Sequence, residues 1–102
     1  MIYTPKRKTN TMRKITQEAV RAFYAKEKFC KSNTTCIDGQ MFLHGNLIAT
    51  LEKDGLKITT SGWDTTTTKE RLNGLEGVQV NTRKGQLFLN GEKWNGVWKA
   101  ID

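Results

Sequence analysis

Residues 34–58 read TTCIDGQMFLHGNLIATLEKDGLKI, and the period of this stretch decides the fold. Apolar and polar side chains alternate in short runs, and the runs end at Asp38-Gly39, His44-Gly45 and Asp54-Gly55. A period of two sends neighbouring side chains to opposite faces of a strand, and X-Gly pairs favour the positive φ that tight hairpins require. Thr34–Ile37 and Gln40–Leu43 are therefore two strands joined at Asp38-Gly39, and His44-Gly45-Asn46 turns the chain into a third. In that third strand Leu47, Ala49 and Leu51 alternate with Ile48, Thr50 and Glu52. Asp54-Gly55 fits the two central positions of a type I′ turn, after which Leu56 and Ile58 face inward and Lys57 and Thr59 outward. The stretch is an antiparallel meander.

The period changes on either side of it. Upstream, Ile15, Ala19 and Phe23 recur every four residues, with Val20 and Tyr24 widening the stripe. That spacing predicts an amphipathic helix over about 16–28, with Thr16 as N-cap and Gln17-Glu18 at the positive end of the dipole. Arg13, Lys14, Arg21 and Lys28 fall off the apolar stripe, so the helix is basic on one side and packs on the sheet with the other. Downstream, Thr67-Thr68-Lys69-Glu70 matches a capping box and Asn73-Gly74 a stop, which predicts a short helix over about 68–73 that buries Leu72 and Leu75.

The remainder is β again. Val78 and Val80 alternate with Gln79 and Asn81, and Lys84-Gly85 turns into Gln86–Leu89. Asn90-Gly91 and Asn95-Gly96 bracket Trp94, and 97–101 closes the sheet as an edge strand. The expected fold is α+β: an N-terminal amphipathic helix packed on a mostly antiparallel sheet of about five or six strands, with a short second helix inserted midway. A chain of 102 residues supports one domain, placed at 12–102. Residues 1–11 (MIYTPKRKTNT) form a flexible basic arm, and Met12 offers an alternative start that makes the arm an extension.

Charge is distributed unevenly. Residues 1–31 hold nine basic side chains against Glu18 and Glu27, and so account for the whole net charge of +7. No apolar run approaches the roughly 18 residues of a membrane span, and no apolar signal segment opens the chain. Secreted, membrane-embedded and multidomain classes are demoted accordingly. A concentrated positive end attracts polyanions and releases their counterions, and it serves equally well as a solvated face.

Little in the sequence is catalytic. Cys30 and Cys36 with His44 give three scattered soft ligands where a structural zinc needs four, so no metal or cofactor is expected. Without a secretion signal the two cysteines are read as reduced thiols in packing roles. His44 is the sole histidine; with no nucleophile motif beside it, it is a turn residue rather than a general base. Residues 61–73 carry threonine hydroxyls at a helix start with Lys69 and Arg71 nearby, an arrangement suited to an anion, although Asp64 and Glu70 oppose one. Of three tryptophans, Trp63 and Trp94 are expected in the core and Trp98, beside Lys99, at the surface.

From Met12 onward the sequence resembles a family of small tailed-bacteriophage proteins. The resemblance rests on Ser32-Asn33-Thr34, LHGNLIA (43–49), Gly62-Trp63, TTKERLN (67–73) and LNGEKWNG (89–96), and covers about residues 12–100. It implies a phage origin and action in the infected bacterial cytoplasm. It carries no activity, and so it transfers no catalytic residue.

The expectation for function is a small accessory, non-enzymatic protein that binds nucleic acid without sequence preference. Its contacts are Lys6, Arg7, Lys8, Arg13, Lys14, Arg21, Lys26 and Lys28, with Lys69, Arg71 and Trp98 as helpers. The alternative is an inhibitor or modulator that docks on an acidic face of a host protein. A third reading places a small nucleotide at 65–69.

Overall fold

A computed structural model of the chain describes residues 14–101. The first helix, α1 (Lys14–Ala25), is followed by five consecutive strands: β1 (Phe29–Lys31), β2 (Thr34–Ile37), β3 (Gln40–Leu43), β4 (Asn46–Glu52) and β5 (Gly55–Ile58). After α2 (Thr66–Asn73) come β6 (Val80–Arg83), β7 (Gln86–Leu89), β8 (Glu92–Lys93) and β9 (Lys99–Ile101). All pairings are antiparallel. β9 returns to β5, so the large sheet runs β1-β2-β3-β4-β5-β9, and β6-β7-β8 make a separate three-stranded sheet. The α+β class, the N-terminal helix, the inserted helix and a six-stranded sheet agree with the sequence; the second sheet is additional.

The register explains the core. Cys36, Met41, Ala49 and Ile58 stand in one row across four strands, and all four are fully buried. α1 covers that face with Thr16, Ala19, Ala22 and Phe23. The small side chain of Ala19 lets the helix backbone approach closely enough for the Cys36 thiol to donate to the Ala19 carbonyl at 3.3 Å. Burying Phe23 alone contributes roughly 1.5–3 kcal/mol. The small sheet adds Val80, Leu87 and Leu89, which join Leu72, Leu75, Val78 and Trp94 in the same apolar cluster.

Several local expectations are corrected. Thr16 is not the N-cap of α1: it lies inside the helix with its side chain buried. The helix stops at Ala25 because Lys26 takes the left-handed conformation (φ 58°), so that the Glu27 amide donates to the Ala22 carbonyl (2.9 Å) and the Lys26 amide to that of Phe23 (3.2 Å). In β4 the pairing slips by one residue beside Met41 and Phe42, a bulge that buries Ile48 next to Ala49 and breaks the simple alternation. Asp38-Gly39, His44-Gly45, Lys84-Gly85 and Asn90-Gly91 are two-residue turns with both φ values positive, the type I′ signature. Asp54-Gly55 is not: Glu52 pairs with Gly55, so Lys53-Asp54 make the turn and Gly55 opens β5. Thr59 faces inward, because the strand ends at Ile58 and the Thr59 hydroxyl donates to the Gly96 carbonyl at 2.7 Å.

The second helix starts earlier than its apparent capping box. Thr65, not Thr67, is the N-cap, and its hydroxyl accepts the Thr68 amide at 3.1 Å. At the other end Gly74 has ordinary right-handed φ, and its glycine identity has a steric cause. A Cβ there would lie 2.8 Å from Thr16 Cγ2 and 2.9 Å from Val20 Cγ2, so the missing side chain is what lets α2 end against α1.

Candidate nucleic-acid interface

The solvent side of α1 presents Lys14 and Arg21, seven residues apart and so about two turns along one face. Lys26, Lys28 and Lys31 add further exposed cations in the connection and β1. The left-handed cap positions Lys26, whose aliphatic stem runs over Gly39. Lys31 is held by Glu18 at 3.2 Å, an exposed ion pair that contributes little to stability but neutralises the carboxylate of α1, whereas the exposed Glu27 stands between Lys26 and Lys28. Lys14, Arg21, Lys26 and Lys28 form no ion pair among the described residues. The other expected contacts, Lys6, Arg7, Lys8 and Arg13, lie outside the described residues.

Arg71 does not join this strip. Its side chain is 1% exposed. Nε donates to Thr34 Oγ1 (3.0 Å), one terminal nitrogen to Thr16 Oγ1 and Glu70 Oε1 (both 2.8 Å), and the other to Asn33 Oδ1 (3.3 Å). The guanidinium therefore ties α1, β2 and the β1–β2 turn to α2, and burial withdraws it from any phosphate. Lys69 is half-buried and its ammonium donates to Thr82 Oγ1 at 2.7 Å, which directs it toward β6. With both cations turned away, the start of α2 loses the charge that the anion reading of 61–73 needed.

A cavity of about 460 Å³ does lie beside that helix start, walled by Trp63 and by His44 and Asn46 of the β3–β4 turn, over Leu43 and Ile48. The hydroxyls of Thr65 and Thr68 are 3.0 Å apart and engage each other. Trp63 is 58% exposed, contrary to its expected core role, whereas Trp94 is buried and donates its indole N–H to the Val97 carbonyl (2.9 Å). Trp98 is exposed as expected. Trp63 and Trp98 sit on neighbouring loops, because the Gly96 carbonyl accepts the Thr60 amide at 2.9 Å and the Thr59 hydroxyl.

The cysteines occupy opposite faces of one strand pair. Cys30 faces Thr35 and is exposed, while Cys36 faces Phe29 and is buried. Burial pushes the Cys36 thiol up to about 11, away from thiolate chemistry. His44 occupies the left-handed position of an exposed turn, φ 52°. Among the described residues no group of three or more His, Cys, Asp or Glu is placed to hold a metal, and no helix is long and apolar enough to cross a membrane. The sequence reading missed Arg83, Phe88 and Lys93, which the small sheet brings together; alternation along 80–93 was the available signal.

A small antiparallel scaffold carrying a cationic helix face is the class of protein defined here, and it falls among phage proteins. The chain belongs to the Kyanoviridae Gp96 protein family, whose model matches residues 12–99. That span agrees with the phage resemblance read over 12–100. No curated protein and no solved structure matches the chain.

Proposed function

We propose that this phage protein is a non-enzymatic accessory factor that binds nucleic acid through the backbone, using its basic N-terminal segment and the outer face of α1, in the infected bacterial cytoplasm. The observation that carries this is the set of Lys14 and Arg21 on α1 with Lys26 and Lys28 just after it, exposed and without ion-pair partners among the described residues. Contacts of this kind position a duplex and read no sequence. The exposed turn position of His44 and the raised thiol of Cys36 support the non-enzymatic part.

The test is the salt dependence of duplex binding. Each phosphate contact contributes about 0.9 to the slope of log K against log salt. The triple variant K14Q/R21Q/K28Q is expected to flatten that slope by about 3 if each residue makes one contact. An affinity that is the same at low and moderate salt would remove this function.

One observation favours a second reading, a modulator of a host protein. Trp63, Val97 and Trp98 are three of the four large apolar side chains exposed among the described residues, and the Gly96 carbonyl links their loops. Exposed tryptophans are frequent anchors of protein interfaces. A single host protein retained on the chain after nuclease treatment, and lost with W63A/W98A, is the outcome that selects it.

A further inference from the structure

The three-stranded sheet has two unlike faces. Val80, Leu87 and Leu89 point into the core. By alternation Asn81, Arg83, Gln86, Phe88 and Lys93 point outward, and the register sets Asn81, Phe88 and Lys93 in one row across the three strands. Arg83 lies over the Phe88 ring, its guanidinium carbon 5.7 Å from the centroid. Phe88 is half-buried, so its ring is fixed at the sheet surface with part of it open. Gln79, Asn81, Arg83 and Gly91 surround it to form a shallow cavity of about 220 Å³. No carboxylate lines that cavity; Lys93 stands outside its lining and borders a second cavity that Glu92 also lines, although Glu92 pairs with Leu89 on the alternate row.

We propose that this outer face binds single-stranded nucleic acid, with Phe88 stacking on one base and Arg83 and Lys93 meeting the flanking phosphates. The proposal rests on the nucleic-acid reading above and adds the strand state and a second contact surface. An aromatic ring beside a cation in a cavity lined by no carboxylate is a combination that holds unpaired bases, because every base offers a π face and every linkage a phosphate. A duplex hides its base faces in the stack, so it has no use for Phe88. The Arg83–Phe88 contact is the resting arrangement: an exposed cation–π pair is weak, and an arriving base replaces the guanidinium on the ring while the charge moves to a phosphate. Gln79 and Asn81 line the cavity, and side-chain amides are general donors and acceptors, which suits binding with little base preference.

The experiment uses the full chain and fluorescence anisotropy with labelled oligo-dT, oligo-rU and a DNA duplex of the same length. F88L keeps the apolar bulk of a half-buried side chain but removes the ring face. It is expected to weaken binding of both single strands by about tenfold or more while leaving the duplex within about twofold. F88W is expected to restore the single-strand affinity, with quenching of the new indole on binding. K14Q/R21Q/K28Q is expected to weaken all three ligands. If F88L binds single strands like the unsubstituted protein, or loses single strands and duplex equally, the Phe88 platform is overturned and the helix reading stands. A chain that binds the duplex but neither oligonucleotide has the same meaning. If none of the three is bound, both readings fall together.

Discussion

Arg71 and Cys36 are the two side chains whose chemistry the fold changes most. The guanidinium of Arg71 meets two threonine hydroxyls, an asparagine and Glu70 inside the protein. Removing it leaves the buried hydroxyls of Thr16 and Thr34 without their donor, and each buried polar group left unsatisfied costs about 1–3 kcal/mol. R71M is expected to destabilise the fold by about 2–4 kcal/mol, read as a lower urea midpoint, a sizeable part of a small domain's stability. For Cys36 the sign follows from burial: the folded thiol titrates near 11, above its ordinary value of 9.0, so the unfolded chain loses its proton first. The contribution is intact below about pH 9 and is lost as pH rises toward 11. Tyr24 is shifted in the same direction, chiefly by burial. Thermal melts of the unsubstituted protein should therefore decline between these limits, and C36A should decline less steeply. In the native state Cys30 alone should react promptly with a thiol reagent at pH 8.

At the level of the element, the meander was legible because its strands alternate and its turns carry X-Gly pairs, two of which, Asp38-Gly39 and His44-Gly45, adopt the expected backbone. The places where reading failed have physical causes. Phe29–Lys31 is too short to show a period, so β1 appears only through its pairing with β2. The bulge in β4 adds a residue that no alternation pattern reveals. Residues 65–68 are all threonine, each able to cap, and the choice between them is made by how Arg71 and Leu72 are buried. T65A is expected to cost about 1 kcal/mol through loss of the cap, and T67A clearly less, in parallel denaturant titrations. G74A tests the helix contact directly. With Thr16 and Val20 methyls in the way, it should cost about 1–3 kcal/mol although alanine is the better helix former.

Across the whole molecule, net charge by segment was an incomplete guide to the surface. Residues 32–102 balance to zero in the sequence, yet the fold sorts them: Arg71 and Glu70 pair with each other, Lys57 is held by Glu52 and Asp54, and Arg83 and Lys93 share the outward rows of the small sheet. The strip on α1 was visible from the helical period, whereas the face of the small sheet needed the register of β6, β7 and β8. That the strands form two sheets was beyond reach, since alternation states which residues share a face and is silent on which strand ends beside which.

The return of β9 to β5 has a dynamic consequence. Ile58 pairs with Lys99, yet along the chain this edge strand is connected to its neighbour through the long excursion that contains α2 and the small sheet. Whenever the excursion loosens, its tether to the edge slackens as well, and local opening events should couple the two. In hydrogen–deuterium exchange the amides of Lys99–Ile101 should keep pace with those of Val80–Arg83 and run well ahead of the central strands. Matching protection in β9 and the adjoining β5 would show instead that the six strands breathe as a single unit.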